Sequence, residues 1–355
     1  MTALPPLVDE ARLFRYLDNL ESLPELAPNG TLTALKVGTG HSNETFLISC
    51  KLAGGGTQEW ILRRPPRGPL LPTAHDVARE FRLISALIHS DLPVPAPVLY
   101  CADESVIGAP FYLMEKVPGI VIRSEVPEAF ATPEKRAGLA EELIQTLVRL
   151  HAVDWKAVGL ETLGKPEGYL ERQLKRWTGQ LDKSRHRPLP EIDKVSAWLA
   201  QNLPASPPAT IVHGDFRLDN VMFAPQPPAH ILAVVDWEMA TLGDPLADLG
   251  YLLSNWRQKD DPPPLFDQEL ELGRITEQEG FPTRSEVAAR YAELSGRTVE
   301  NLKFYEVLAV WKLAILLEGN YVRYLAKTTD DPFYALLDKG VPALGKRALN
   351  LINQK

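Results

Sequence analysis

The chain has 355 residues, 45% of them apolar and 24% charged, with a formal net charge of −8. This composition excludes extensive disorder, and the acidic balance argues against a nucleic-acid or anionic-membrane surface, which needs a concentrated excess of Lys and Arg. At this length two packed lobes are expected in place of a single core. Cys50 and Cys101 are too few for a disulfide framework and have no metal-ligand spacing, so they read as reduced, buried thiols.

The first twenty residues set Asp9, Glu10, Arg12 and Arg15 among apolar positions, the pattern of an amphipathic helix and not of a signal segment. No apolar run approaches the ~18 residues of a membrane span, which leaves a cytoplasmic location as the expectation. Leu32 to Lys51 and Trp60 to Arg64 read as strands, broken by Gly38, Gly40 and Gly54 to Gly56. Thr73 or Asp76 then caps a helix carrying Val77, Phe81, Ile84, Leu87 and Ile88 at helical spacing to about His89. Strands resume at Val98 to Cys101 and Phe111 to Lys116, and Pro118-Gly119 marks the change to helical composition.

Helices are expected at Pro133 to His151, Tyr169 to Lys183, Glu191 to Gln201, Leu265 to Gly280, Arg284 to Ser295 and Val299 to Lys327. One β episode interrupts them, at Ile211-Val212, Asn220 to Phe223 and Ile231 to Val235. The fold class is therefore α+β: residues 1–117 form a small antiparallel sheet with a helix, and residues 118–355 form a mainly helical lobe.

The chemistry gathers around that β episode. If the strands flanking Pro225, Pro227 and Pro228 pair as a hairpin, Asn220 and Asp236 sit at the same end of it, two oxygen donors suited to a hard cation such as magnesium. Asp215 lies one loop earlier, where it can accept a hydroxyl proton, and Arg217 can face charge developing on a transferred phosphoryl group. Gly38-Thr39-Gly40-His41-Ser42-Asn43 is a turn whose small residues let backbone amides approach phosphates, although a plain hairpin turn has the same composition.

The spacing His213, Asp215, Asn220 with the later Asp236 resembles the protein-kinase-like fold, and Gly214 between His213 and Asp215 points to its aminoglycoside phosphotransferase branch. The resemblance implies ATP and Mg as cofactors, Asp215 as the catalytic Asp, Arg217 near the γ-phosphate, and Asn220 and Asp236 as metal ligands. It also implies a nucleotide-covering loop with Ser42 and Asn43, a hinge with Glu115 and Val117, and supporting positions for His213 and Asp248. Arg63 stands where such kinases usually carry Lys, an exchange that swaps a point charge for a planar fork, with Arg64 beside it as the exposed member. Glu80 resembles the acidic residue that pairs with that basic side chain, and a solvated helix charge is the alternative. Asp236-Trp237-Glu238 replaces the Asp-Phe-Gly of protein kinases.

Tyr169-Leu170-Glu171-Arg172-Gln173-Leu174-Lys175-Arg176-Trp177, with Val234 to Glu238 and Gly243-Asp244-Pro245, is similar to the kinase-like domain at the front of certain acyl-CoA dehydrogenase family proteins. That implies phosphorylation of a small hydroxyacyl compound, as a hydroxy acid or its CoA thioester. The basic run supports an anionic substrate contacted by Arg172 or Arg176 and disfavours a polycationic aminoglycoside, while a solvated basic helix would look the same. An antibiotic kinase and a nucleotide-binding pseudokinase scaffold remain as alternatives. A protein kinase is disfavoured because Asp236 to Asp248 is too short for an activation segment. No oligomeric state is implied.

Overall fold

The computed structural model describes residues 6–37, 43–67, 76–261, 274–327 and 332–354. The chain divides into two compact units, Met1–Pro118 with Ala233–Glu238, and Gly119–Leu232 with Met239–Lys355.

In the first unit, helix α1 (Glu10–Asp18) starts at Asp9, whose carboxylate accepts the Arg12 N–H. That contact satisfies one of the orphan donors of the first turn. Leu13 and Leu17, one turn apart, are buried. They pack on a five-stranded antiparallel sheet built from β1 (Leu32–Lys36), β2 (Glu44–Lys51), β3 (Thr57–Arg64), β4 (Pro97–Cys101) and β5 (Phe111–Glu115), in the order β1-β2-β3-β5-β4. Strand alternation builds this core: Phe46, Ile48 and Cys50 of β2 face the same side as Trp60 and Leu62 of β3, in the register Phe46↔Leu62 and Ile48↔Trp60. The other face meets α2 (Val77–Leu87), capped by Asp76; Thr73 and the loop 38–42 lie outside the described residues. Cys50 and Cys101 are free thiols, both buried.

The second unit is mainly helical: α3 (Pro133–Ala152), α4 (Tyr169–Ser184), α5 (Pro190–Gln201), α6 (Leu246–Ser254), α7 (Arg284–Ser295), α8 (Leu302–Leu325) and α9 (Leu337–Asn353). Between them β6 (Thr210–Val212) pairs antiparallel with β9 (Thr241–Gly243), and β7 (Val221–Phe223) forms a two-stranded sheet with β8 (Ile231–Val234). Helix α8 carries the core, packing against α4, α5, α6 and α9. Thr283 and Glu286 close a reciprocal capping box at the start of α7, which fixes that boundary where the sequence puts it. Among the described residues no helix is long and apolar enough to cross a membrane.

Three expectations are corrected. Asn220 does not open a strand: it ends a 3-10 turn, Leu218–Asn220, and β7 begins at Val221. In the segment expected to be helical from Leu265 to Gly280, residues 262–273 lie outside the described set, and Arg274–Glu277 is a short 3-10 turn. Gly280, at φ +103°, then turns the chain tightly against the Pro133 backbone. Helix α9 is absent from the sequence reading because Gly340, Pro342 and Gly345 oppose helix propensity. Packing against α5 and α8 overrides that weak local preference.

Gly250 lets α6 approach α8: a Cβ there would lie 2.4 Å from Tyr305 Cβ and 2.7 Å from the Tyr305 carbonyl carbon. Gly250→Ala is expected to destabilise the chain by about 1–3 kcal/mol, the range for overpacking a tight core. An unchanged urea midpoint would contradict this contact.

Candidate active site

Successive side chains of a strand face opposite sides. On β3 this separates two adjacent arginines. Arg64 turns to the α1 side and is 4% exposed, donating to the carbonyls of Leu7, Pro65 and Ile107; the expectation that it is the exposed member is corrected by that burial. Arg63 turns to the α2 side, where Nε lies 3.1 Å from Glu80 Oε2 and Nη2 donates to Asp236 Oδ1 at 2.9 Å. Glu80 is 2% exposed and is no solvated helix charge: it accepts from Tyr112 Oη at 3.0 Å and from Asn43 Nδ2. Tyr112 stands opposite Arg63 in the β3–β5 register.

Burial opposes the charge on Arg63, yet Glu80, Tyr112, Asp236 and Glu238 outweigh it and hold the guanidinium protonated. Burial raises the Glu80 carboxyl above its usual range, with Arg63 pulling the other way. Asp236 sits at φ +66°, a conformation rare outside glycine, with its side chain 34% exposed. Asn43 Oδ1 is buried without a hydrogen-bond partner.

In the second unit, β6 delivers the chain into the loop that starts at His213. The N–H groups of His213 and Gly214 donate to the two oxygens of Asp248, each at 2.7 Å. Gly214 is required there, because it lies at φ +85° and a Cβ would come 2.9 Å from the Met239 carbonyl oxygen. Asp248 is fully buried, with His151 Nε2 3.3 Å from its Oδ2 and His151 Nδ1 2.7 Å from the Tyr291 hydroxyl. The buried His213 ring accepts the Asp215 N–H through Nδ1 at 3.3 Å.

Asn220 Nδ2 donates to the Asp215 carbonyl at 2.8 Å and to Asp215 Oδ2 at 2.7 Å, and the Tyr251 hydroxyl also bonds the Asp215 carboxylate. Two acceptors on one amide nitrogen fix the orientation of the Asn220 side chain and leave its oxygen as an acceptor. Arg217 Nε lies 2.9 Å from Asp219 Oδ1 and 3.5 Å from Asp215 Oδ1. Burial raises the Asp219 carboxyl above its ordinary range, while Arg217 counters it.

Farther along the second unit, Arg172 and Arg176 of α4 are exposed and line a cavity of about 400 Å³. Arg172 donates to the carbonyls of Lys165 and Glu167, and the Arg176 guanidinium lies over the Trp177 ring, 5.7 Å from its centroid. Glu115 ends β5 exposed, its N–H bonded to the Ala96 carbonyl, and Val117 is half-buried. Ser42 lies outside the described residues.

A model of the phosphotransferase enzyme family matches residues 33–286. The chain belongs to that family. It is 36% identical over 351 residues to acyl-CoA dehydrogenase family member 11 of Gallus gallus, covering 97% of this chain but 43% of that protein. The chain thus spans less than half the length of this curated relative. A solved structure from Ralstonia eutropha, provisionally assigned as an aminoglycoside phosphotransferase, is 30% identical with a TM-score of 0.77, covering 97% of this chain and 96% of that one. The GDP complex of aminoglycoside 2'-phosphotransferase-IIIa shares the fold at 14% identity and a TM-score of 0.60, over 96% and 99% of the two chains. The α+β architecture is therefore the kinase-like fold of this phosphotransferase family.

Taken singly, Asn220 in the second unit keeps a free amide oxygen and Asp236 in the first a solvent-reached carboxylate, each an oxygen donor of the type a hard cation prefers. Among the described residues no three His, Cys, Asp or Glu side chains cluster as a self-contained metal site. The sequence reading missed Tyr112, His151, Tyr251 and Tyr291. No local pattern singles them out, and only the β3–β5 register or helix packing reveals the partner of each.

Burial is the main cause holding the His151 pKa below its ordinary 6.5, against the pull of Asp248. An unfolded chain takes up a proton near pH 6.5 that the folded site refuses, so this contribution to stability is intact above that pH and lost as pH falls below it. The urea stability of His151→Gln is expected to fall less steeply from pH 7.5 to 5.5 than that of the parent. The sign of the slope difference is the readout, and parallel slopes would contradict it.

Proposed function

We propose that this chain transfers the γ-phosphate of ATP to a hydroxyl of a small molecule, and that the acceptor is a hydroxyacyl compound, as a free hydroxy acid or its CoA thioester. The observation that carries the reading is the fixed Asp215 carboxylate, held by Asn220 and Tyr251 on a loop whose backbone is anchored to Asp248. A carboxylate so held is fitted to accept the proton of an attacking hydroxyl as its oxygen bonds to phosphorus. Arg217 is the proposed cation for charge developing on the transferred group. Asn220 and Asp236 are the proposed ligands of magnesium, which when bound neutralises charge on the nucleotide phosphates.

For the nucleotide, Asn43, Arg63 and Glu80 are the proposed phosphate-side residues and Glu115 and Val117 the proposed hinge contacts; Ser42 completes the assignment made from sequence. Arg63 keeps the charge of the usual Lys and engages Glu80 through its fork. Nucleotide use is supported by the GDP complex of a protein with the same fold. The acyl-CoA wording in the name of the avian relative supports the acceptor class. An antibiotic kinase is the second reading, favoured by the assignment given to the Ralstonia protein.

Asp215→Asn is expected to lower kcat for phosphoryl transfer by about 10²–10⁴-fold, the usual contribution of a positioned base, with ATP affinity retained. Transfer that survives this change would reject Asp215 as the base, and ATP binding without turnover in the parent would indicate a scaffold. A panel of hydroxy acids, hydroxyacyl-CoA thioesters and aminoglycosides, read as acceptor-dependent ADP release, separates the acceptor classes. ADP release is expected with the first two, whereas response to aminoglycosides alone would reject the hydroxyacyl reading.

A further inference from the structure

The cavity beside α4 has a composition that ordinary surface solvation does not explain. Its wall carries Lys165, Arg172, Lys175 and Arg176, with Tyr169, Gln173 and Thr241 as the remaining lining, and no carboxylate. Tyr169, Arg172, Gln173 and Arg176 follow the i, i+3, i+4, i+7 spacing, so one stripe of the helix faces the space. Among the described residues Lys165, Lys175 and Arg176 have no ion pair, although the chain is acidic overall. The volume, about 400 Å³, suits a small-molecule site.

A second observation comes from α8. Lys312 projects toward α4, with Nζ 5.6 Å from the Trp177 ring centroid, and among the described residues no carboxylate pairs with it. Burial, and then Arg176, draw its pKa down to about 8, while Asp248 and Asp215 act to raise it. Lys312 therefore lies within the fields of both the cavity's Arg176 and the loop carboxylate Asp215. The connection also runs through the β6–β9 pairing: Thr241 in the cavity wall stands opposite Val212, and the next residue is His213. A half-buried cation without an ion-pair partner is stabilised when something else supplies the counter-charge.

We propose that this cavity is the subsite for a negatively charged group of the acceptor, a carboxylate or a phosphate, bound by Arg172, Lys175 and Arg176 with Lys312 completing the field toward Asp215. The assignment rests on the phosphotransfer reading for the meaning of "acceptor", but not for the binding itself. Two sources share this anion chemistry, the carboxylate of a free hydroxy acid and the phosphate of an acyl carrier.

The test measures binding by calorimetry in the absence of nucleotide, on the full chain, with 4′-phosphopantetheine, uncharged pantetheine, and a short-chain hydroxy acid. Binding of 4′-phosphopantetheine but not pantetheine assigns the carrier phosphate, and binding of the hydroxy acid alone assigns the free carboxylate. In Arg172→Glu/Arg176→Glu the affinity for the anion that binds should fall at least tenfold. Arg172→Gln/Arg176→Gln, which keeps the long polar side chains, guards against misfolding and should give a smaller loss. Lys312→Met should weaken the same probe and raise acceptor KM, leaving ATP KM unchanged.

Equal binding of charged and uncharged probes, or an affinity unaltered by charge reversal, overturns the subsite. Anion binding lost on charge reversal in a chain that transfers no phosphate upholds the subsite and rejects the phosphotransfer reading. Phosphotransfer with acceptor KM unmoved by the substitutions does the reverse.

Discussion

The two N–H groups of His213 and Gly214 meet the two oxygens of one buried carboxylate, Asp248, and the geometry of the following loop depends on that contact. Charge-assisted bonds of this kind are roughly twice as strong as neutral ones and fix direction as well as distance. They orient the backbone so that His213 receives the Asp215 N–H and the Asn220 amide reaches Asp215. A fully buried carboxylate is costly by itself, and here two backbone donors and His151 meet that cost. The carboxylate sits in the first turn of α6, close to the positive end of the helix dipole. Gly214 and Gly250 serve the same arrangement by allowing close approach, one of the loop to Met239 and the other of α6 to α8.

The first unit solves a comparable problem with an arginine. A lysine at position 63 would offer one point charge; the guanidinium reaches Glu80 and Asp236 from different nitrogens at once. Tyr112 and Asn43 then satisfy Glu80 from the sheet side, so the ion pair is one part of a larger buried network. Such networks hold only when each member has a partner. Two atoms lack a hydrogen bond: Asn43 Oδ1, a buried acceptor, and Arg63 Nε, which meets Glu80 as an ion pair only. The departure from the usual lysine is therefore compatible with the kinase-like fold, and Arg63 is fully integrated in it.

Charge distribution separates two uses of basic residues. Arg187 is paired with Glu318 and Asp338, and Arg185 with Asp193, so both serve as structural ties. The basic residues around the α4 cavity have no such partners among the described residues apart from the backbone carbonyls that hold Arg172. Within one short stretch of sequence the same residue type thus has two fates, and composition alone cannot tell them apart.

The sequence by itself determined the elements and the family. Period-2 and period-3.6 patterns located β2, β5, α3, α4, α7 and α8 to within a few residues, because burial on one face leaves a direct mark on residue order. The spacing of His213, Asp215, Asn220 and Asp236 carried the resemblance, since a loop of fixed length leaves little freedom in its chemistry. Only the tertiary structure decided which of Arg63 and Arg64 meets Glu80, because strand alternation has no absolute sign until a helix covers one face. It also decided that Tyr112, His151 and Lys312 belong beside charged groups. Their partners lie tens to more than a hundred residues away in sequence, and no local pattern records a contact made at that distance. Helix α9 belongs with these: its glycines and proline argue against a helix locally, and only packing against α5 and α8 makes it one.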